Sequence, residues 1–307
     1  MRLIFFGTPD FAVPSLEALC GEGFDVAAVV TQPDRPQGRS RSQSVPSPVK
    51  TAALDEGLPI LQPERPTSDE FYNKLRALEP EAGIVVGYGH LLKPELLAIP
   101  TRGMINLHPS LLPELRGAAP VEWAILRGLE STGVTIMQME AGMDSGPILH
   151  QIPHGIPADV TGGELSAHLS EVGAQALVEA LLMLENEAIR PVPQDHTKAT
   201  FAPKLTRELA HIDWTKPADQ VRRVIMALDP KPGAWTQLDS LEVKLFRAVV
   251  KEGRGDPGTV LAADSRLLIA TGQGAVEVEE VQPAGKERMS AADWIRGRGA
   301  AVGRRFS

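Results

Sequence analysis

Cys20 is the only cysteine in this 307-residue sequence, and several familiar catalytic motifs are missing as well. A single thiol excludes a disulfide within the chain and suits a reducing compartment, so we expect a cytoplasmic protein. There is no cysteine pair and no H-E-x-x-H motif, and we therefore expect no metal. G-x-x-x-x-G-K-[ST] and G-x-S-x-G, the motifs of phosphate-binding loops and nucleophilic serines, are absent too. The turn at residues 7–10 lacks G-x-G-x-x-G, so nothing there indicates a dinucleotide.

Aromatic residues are also scarce, at 5% of the sequence, and long apolar runs are missing. No run approaches the ~18 apolar residues that a membrane-spanning helix needs. The apolar start of the chain is too short for a signal peptide. With 43% hydrophobic and 23% charged residues, the composition is that of an ordinary globular protein. We expect a soluble monomer without a membrane partner.

Negative charge predominates, at a net charge of -8, but it is distributed unevenly. Residues 1–203 contain 14 Lys and Arg against 25 Asp and Glu, whereas residues 204–307 contain 17 against 14. A more basic second part suggests contact with a polyanion, although chance could also produce this balance. Its five Trp and Phe side chains are too few for a platform that stacks single-stranded bases. Contacts from Lys and Arg to a nucleic-acid backbone fit better.

Short apolar runs alternate with helical patterns over the first 150 residues. The runs predict strands at residues 2–6, 25–30, 82–86 and 104–107, and the patterns predict helices at 10–20, 48–56 and 68–78. This alternation is typical of an α/β fold with a doubly wound, mostly parallel sheet. A strand pair at 134–139 and 148–152 and a long amphipathic helix at 161–187 follow.

The pattern changes after a proline-rich stretch at residues 190–205, which we interpret as a linker. Five short strands are predicted beyond it, at 235–238, 242–250, 258–263, 267–271 and 275–281, before a last helix at 291–296. So many short strands in about a hundred residues indicate a small OB-like β-barrel. The sequence thus predicts a first domain at 1–189, the linker at 190–205 and a second domain at 206–307.

Polar side chains interrupt the predicted strand at 104–107 where it ends. Asn106 and His108 are two residues apart, so in a strand both point to the same face. Ligands of open α/β sheets bind outside the carboxyl ends of the strands. Two glycine-containing loops, 87–90 and 142–146, also follow strands, and the second carries Asp144. We expect the Asp144 carboxylate to orient the imidazole and to favour its protonated form.

An amide and an imidazolium can together stabilise the oxyanion of an acyl-transfer reaction. No nucleophilic side chain accompanies them, so the attacking and leaving groups would both belong to substrates. Each residue type alone also has an ordinary structural role, since histidines often end strands and Asn and Asp often form turns. Together, the three residues fit direct acyl transfer.

Motifs over nearly the whole chain resemble those of one family. They are FGTPDFA at 6–12, TQPDRPQGR at 31–39, PSPVK at 46–50, NLHPSLLP at 106–113, RGAAP at 116–120, GVTIMQMEAGMDSG at 133–146, KLTRELAHIDW at 204–214 and QPAGKERMSAADW at 282–294. HPSLLP alone is similar to the wider group of 10-formyltetrahydrofolate-dependent transferases. The TQPDRP stretch and the second-domain motifs narrow the resemblance to the methionyl-tRNA formyltransferase family.

This resemblance implies transfer of a formyl group from 10-formyltetrahydrofolate to the α-amine of methionine on initiator tRNA. It implies that Asn106, His108 and Asp144 are catalytic. The folate-binding residues implied by the resemblance are Ser110, Leu111, Leu112, Pro113, Tyr88, Gly89, Leu91 and Gly142, with the pterin held largely by backbone groups. The domain at 1–189 would then be catalytic, and the one at 206–307 would bind tRNA.

The resemblance also places a tRNA-binding loop around Arg39, which would enter the acceptor end. The family often has lysines after this position, whereas this sequence has Ser-Arg-Ser-Gln-Ser at 40–44 and keeps only the charge of Arg41. The other predicted tRNA contacts are Lys204 and Arg207, the first two cationic residues of the more basic part at 204–307.

Two alternatives remain at this stage. One is a formyltransferase with a different amine acceptor, such as an amino sugar nucleotide or glycinamide ribonucleotide, which the basic second domain and the Arg39 loop disfavour. The other is a non-catalytic tRNA-binding protein, which the presence of Asn106, His108 and Asp144 disfavours.

Overall fold

The computed structural model describes residues 1–37 and 43–307, which form two compact units. The first unit comprises Met1–Gly117, Thr132–His154 and Ser166–Phe201, and the second comprises Ala118–Ser131, Gly155–Leu165 and Ala202–Ser307. The chain therefore passes between the units more than once. The domain bounds 1–189, 190–205 and 206–307 stay a prediction.

A seven-stranded sheet forms the centre of the first unit, in the order β10-β9-β7-β6-β1-β2-β5. The strands of this unit are β1 (Arg2–Gly7), β2 (Asp25–Val30), β3 (Arg35–Gln37), β4 (Gln43–Val45), β5 (Ile60–Leu61), β6 (Ala82–Val86), β7 (Met104–His108), β8 (Arg116–Gly117), β9 (Ser131–Gln138), β10 (Ile148–Gly155) and β11 (Phe201–Ala202). From β5 to β7 all neighbours run parallel, and β9 is antiparallel to β7. The predicted mostly parallel sheet is confirmed.

The central strands have continuous apolar sequences because both faces of the sheet are covered. Every residue of β6 is buried, and so are residues 3–7 of β1. Such strands lack the alternation of half-exposed ones, which is typical of parallel sheets between helices. The predicted strands at 2–6, 25–30 and 82–86 are confirmed to within one residue, and the strand predicted at 104–107 continues to His108.

Five helices of the described residues accompany these strands: α1 (Val13–Gly21), α2 (Pro48–Asp55), α3 (Asp69–Ala77), α4 (Pro94–Leu97) and α6 (Gly162–Glu185), most of which lies in the first unit. Helix α5 (Pro120–Leu126) belongs to the second unit. Helix α3 begins after Ser68, whose hydroxyl accepts a hydrogen bond from the Phe71 amide at 3.2 Å. Such a cap satisfies one of the backbone amides that the first helical turn leaves without a partner. The short helices α4 and α5 were not predicted, because each has too few residues for a helical period.

Helix α6 is long and apolar enough, by length and composition, to cross a membrane, and it is the one such helix in the described part of the chain. Core helices of globular proteins meet the same criteria. Its apolar residues Leu169, Leu177 and Leu181 are fully buried against the first unit. These side chains behave as those of a core helix.

The second unit contains an antiparallel sheet, in the order β12-β13-β16-β15-β14, with β17 paired to β16. Its elements are α7 (Ala218–Ala227), β12 (Ala234–Leu238), β13 (Leu241–Lys251), β14 (Val260–Ala263), β15 (Leu267–Ala270), β16 (Ala275–Pro283), β17 (Met289–Ser290) and α8 (Ala291–Arg296). All five predicted strands and the last helix are confirmed. The Ser290 hydroxyl caps α8 by accepting from the Asp293 amide at 3.1 Å.

Candidate active site

The candidate site lies at the carboxyl end of β7, in the first unit. Asn106 and His108 point to the same face of this strand, and the intervening Leu107 is buried on the other face. Asn106 is half-buried, and among residues 1–37 and 43–307 its side-chain amide has no hydrogen-bond partner. His108 is only 4% exposed. The structure thus brings the two predicted residues together. The buried imidazole of His108 is fixed, whereas the amide of Asn106 is free to bind a ligand.

Two groups flank the imidazole of His108. Its Nε2 lies 3.0 Å from the carbonyl oxygen of Leu115. Its Nδ1 lies 3.7 Å from Oδ2 of Asp144, which is too far for a hydrogen bond but within ion-pair distance when the ring is protonated. Because a carbonyl only accepts, Nε2 must carry a proton. The neutral ring therefore has its lone pair on Nδ1, and the protonated ring directs its second N–H towards the carboxylate.

Asp144 sits in a tight turn with a left-handed backbone, at φ 49°. Its Oδ2 accepts a hydrogen bond from the Gly117 amide at 2.8 Å. Gly142 precedes it at φ 140°, a conformation that side chains disfavour. At Gly146 a Cβ would lie 2.0 Å from the carbonyl oxygen of Gln138, so only glycine fits there. The turn that carries the carboxylate is therefore closely constrained.

The HPSLLP segment, residues 108–113, begins at the last residue of β7 and is held by the fully buried Thr135. Thr135 donates from Oγ1 to the Ser110 carbonyl at 2.6 Å and accepts from the Leu112 amide at 3.1 Å. Gln151 donates from Nε2 to the same hydroxyl and to the Leu112 carbonyl, both at 2.9 Å. The Ser110 hydroxyl is itself engaged, donating to the Glu114 carbonyl at 2.6 Å. Ser110 and Leu112 are buried, whereas Leu111 and Pro113 are partly exposed.

The loop after β6 contains Tyr88, Gly89 and Leu91. The phenol of Tyr88 is buried in the apolar core, where it packs edge-on against Phe6, and its hydroxyl has no hydrogen-bond partner among residues 1–37 and 43–307. Burial raises the pKa of Tyr88 to about 12. Gly89 has φ 82°, and Leu91 is 88% exposed. Tyr88 can therefore meet a ligand only through its backbone, and the assignment of this loop to folate stays a prediction.

Sequence reasoning missed two residues of this neighbourhood, Arg116 and Gln194, which are both 6% exposed. The side-chain oxygen of Gln194 accepts from Arg116 Nε at 3.1 Å and Nη2 at 2.5 Å. Its nitrogen donates to the carbonyl oxygens of Asp144 and Gly146, at 2.9 and 2.7 Å. Arg116 belongs to the RGAAP motif, so it could have been noticed. Gln194 lies in the proline-rich stretch interpreted as a linker, where nothing in the local pattern indicates a buried side chain.

A hairpin of β3 and β4 brackets the predicted tRNA-binding loop. Arg39 and Arg41 lie outside the described residues, so their placement stays a prediction. The base of the hairpin is held by Asp34, which accepts from Lys50 Nζ at 2.6 Å and from Gln62 Nε2 at 2.7 Å. These bonds hold the pKa of the Asp34 carboxyl below its usual value, with the bond from Lys50 contributing most.

The two other predicted tRNA contacts lie in the second unit. Lys204 is exposed and forms no ion pair within the described ranges 1–37 and 43–307. Arg207 is exposed as well, but it stacks 4.2 Å from the ring centre of Trp235 and pairs with Glu242 at 2.5 Å. A contact from Arg207 to a phosphate would have to compete with this carboxylate.

Metal ligands are not gathered at this site. In the part of the chain that the structure describes, no three His, Cys, Asp or Glu side chains are grouped so that they could hold a metal ion. The polar groups around His108 are instead an amide, backbone groups and one carboxylate, which suit acid–base and oxyanion chemistry.

Comparison with known proteins gives the family of this chain. Residues 1–181 match the family model "Formyl transferase", and residues 204–299 match "Formyl transferase, C-terminal domain". The methionyl-tRNA formyltransferase of Magnetococcus marinus is 44% identical over 306 residues, which are 99% of this chain and 98% of that protein. The chain belongs to the methionyl-tRNA formyltransferase family. The formyltransferase of the same name from Roseiflexus sp. is 46% identical and covers 97% of this chain and 92% of its own length.

Solved structures share the fold at lower identity. The N-formyltransferase of Helicobacter canadensis, in complex with folinic acid and dTDP-3-aminofucose, superposes with a TM-score of 0.71 at 16% identity. The match covers 94% of this chain and all of that chain. At this identity the likeness shows the fold alone. The family membership follows from the sequence relatives, which are similar along the whole chain.

Proposed function

We propose that this protein transfers the formyl group of 10-formyltetrahydrofolate to the α-amino group of methionine carried by initiator tRNA. The observation that carries the proposal is the arrangement of Asn106, His108 and Asp144 at the end of β7, in a chain of this family. The product would be N-formylmethionyl-tRNA for the initiation of translation.

The proposed chemistry needs one C–N bond to form and another to break. The neutral α-amine attacks the formyl carbon, the bond from that carbon to N10 breaks, and one proton moves from the amine towards N10. Negative charge develops on the formyl oxygen, where preorganised donors lower the barrier. The amide of Asn106 is a suitable donor because it has no partner among the described residues.

His108 is assigned the proton movement at Nδ1. Nε2 is occupied by the Leu115 carbonyl, whereas Nδ1 makes no hydrogen bond at its 3.7 Å distance from Asp144. The neutral ring can accept the amine proton at Nδ1. Once protonated, it can donate from Nδ1, and the Asp144 carboxylate stabilises its positive charge. No side chain needs to act as a nucleophile.

The folate, which supplies the formyl group when bound, would be held by two loops and the HPSLLP segment. Gly87 and Gly89 have φ 58° and 82°, and Gly142 has φ 140°. Glycines at such positions let the backbone come close to a planar ring. We assign Ser110, Leu111, Leu112, Pro113, Tyr88, Gly89, Leu91 and Gly142 to this site.

The tRNA would contact the hairpin around Arg39 and Arg41 and the second unit through Lys204 and Arg207.

We also infer an OB-like barrel in the second unit. Both of its edge strands approach the C-terminal residues. Leu238 of β12 forms a β-bridge with Phe306. Thr259, which lies just before β14, forms a β-bridge with Arg305. A segment bonded to both edges supports closure of the sheet. We infer a cytoplasmic monomer without a membrane partner, with the domain bounds 1–189, 190–205 and 206–307.

An acceptor assay tests the function. Purified protein with 10-formyltetrahydrofolate should formylate methionyl initiator tRNA and leave free methionine, glycinamide ribonucleotide and a dTDP-amino sugar unmodified. An Asn106→Ala, His108→Ala double variant is the control for background transfer. Formylation of the amino sugar in preference to the tRNA would support the other acceptor class instead, and binding of tRNA without transfer would support the non-catalytic alternative.

A further inference from the structure

The side chain of Gln194 joins the turn that carries Asp144 to the strand that follows the HPSLLP segment. Its amide nitrogen donates to the carbonyl oxygens of Asp144 and Gly146, and its amide oxygen accepts two bonds from Arg116. Gln194 lies 50 residues after Asp144 in the chain and is 6% exposed. All four hydrogen-bonding positions of this buried amide are therefore used within the first unit.

We propose that Gln194 is a positioning residue that keeps the Asp144 carboxylate beside Nδ1 of His108. Its role in turnover rests on the proposed function, whereas the placement of Asp144 can be measured without turnover. Among the hydrogen bonds of the described residues, those of the Gln194 side chain go to Arg116, Asp144 and Gly146 and not to the imidazole, and Gln194 is assigned no catalytic step of its own.

The turn needs such a partner for two reasons. Asp144 has a left-handed backbone at φ 49°. In a residue with a side chain this conformation costs free energy, and it persists only where surrounding contacts hold the backbone in place. The carbonyls of Asp144 and Gly146 also approach the same point, where their oxygens repel each other without a donor between them. A primary amide supplies the two N–H groups that both oxygens need.

Arg116 fixes the orientation of that amide. Its guanidinium offers only donors, so the oxygen of Gln194 must face it and the nitrogen must face the turn. The next residue, Gly117, donates its backbone amide to Oδ2 of Asp144 at 2.8 Å. Arg116 thus holds the backbone of Asp144 through Gln194, and Gly117 holds the carboxylate of Asp144 directly.

Substitution of Gln194 by methionine tests the proposal, because it keeps the volume and removes every hydrogen bond. Turnover of Gln194→Met should fall by ~10- to 100-fold, the usual effect of a small misplacement in an active site. The NMR signals of the His108 ring, recorded at one pH, should shift as they do in Asp144→Asn. A variant that combines both changes should be no worse than Asp144→Asn, because both would act through one carboxylate.

Asp195→Ala is the matched control. It removes two hydrogen bonds to Thr197 from the same segment, but none to the turn of Asp144. It should leave turnover and the NMR signals of the His108 ring unchanged. If Gln194→Met folds poorly, Gln194→Glu retains the pairing with Arg116 and places an oxygen against the two carbonyls, and it should show the same losses.

Two results would overturn the proposal. One is a Gln194 variant with a lower melting temperature but wild-type turnover and wild-type NMR signals of the His108 ring, which would make the residue structural only. The other is a combined variant much slower than Asp144→Asn, which would show that Gln194 acts elsewhere. A wild-type protein that transfers formyl to no acceptor would contradict the proposed function alone, because the NMR signals of the His108 ring would still test the placement of Asp144.

Discussion

Nε2 of His108 lies 3.0 Å from the carbonyl oxygen of Leu115, in the buried interior of the first unit. The carbonyl accepts in both charge states of the ring, so this nitrogen keeps its proton throughout. Proton exchange with a substrate is thereby restricted to Nδ1, the nitrogen that faces Asp144. One backbone contact thus fixes the tautomer on which the proposed chemistry depends.

Removal of the imidazole should slow the reaction without loss of the folate. His108→Ala should lower turnover by on the order of 10²–10³, which lies within the usual cost of losing one general acid–base group. Folate affinity should change little, because the imidazole acts mainly on charge that is absent from the bound reactant. His150→Ala, at a histidine that pairs with Glu179, is the control. A His108→Ala enzyme with most of its turnover would exclude the assigned role.

Neutralisation of Asp144 should slow the proposed reaction. Asp144→Asn keeps the shape of the side chain and removes the negative charge 3.7 Å from Nδ1. The imidazolium that forms during proton transfer then loses its partner, so turnover should fall. Turnover of both proteins under the same conditions measures this loss. Equal turnover would mean that the carboxylate does not support the imidazole.

Alkaline pH should destabilise the protein through Tyr88. Burial raises the pKa of its phenol to about 12, above the value of ~10 in an unfolded chain. The contribution of this neutral phenol to the free energy of unfolding is fully present below pH ~10 and is lost at higher pH. The loss arises because the unfolded state then releases a proton that the folded state keeps. The expected loss is ~1.4 kcal/mol per pH unit up to about pH 12. Urea unfolding at pH 9 and pH 11 should show a smaller loss for Tyr88→Phe, and equal losses would contradict the buried state.

Gly146 should tolerate no side chain. In Gly146→Ala the new Cβ would lie 2.0 Å from the Gln138 carbonyl oxygen, so the backbone of the Asp144 turn must shift. Thermal unfolding should show a loss of ~1–3 kcal/mol, the usual cost of overpacking, and turnover should fall with it. Gly155→Ala is the matched control, since its Cβ would meet nothing within 4 Å. Equal stability of the two variants would argue against this turn geometry.

Two neighbouring cations of the second unit should behave differently. Arg288 pairs with Asp229, which is 3% exposed, at 2.7 Å, and also with Glu280. Arg288→Ala leaves the Asp229 charge without its partner and should cost ~3 kcal/mol or more in the free energy of unfolding. Lys286 is exposed, so Lys286→Ala should leave stability unchanged and reduce the salt dependence of tRNA binding. Chemical denaturation and a salt series for both variants check this, and equal stability would show that Arg288 is not structural.

Local patterns in the sequence determined most of the secondary structure and the family. Apolar runs predicted the central strands and helical patterns predicted the longer helices, because strand burial and helical periodicity depend on residues a few positions apart. The spacing of Asn106 and His108 likewise placed both on one face of β7. These features could be predicted since their physical causes are local.

The tertiary structure decided how those residues are used. The proton on Nε2 of His108 depends on a loop that returns to the ring, and the placement of Asp144 depends on Gln194, 50 residues later. The same holds for the ion pair of Arg288, whose partner Asp229 lies 59 residues away in the chain. Hydrogen bonds and ion pairs between distant residues follow from how the chain folds back on itself. No periodicity or spacing in the sequence encodes them, so only the folded chain shows which polar side chains are bound and which are free.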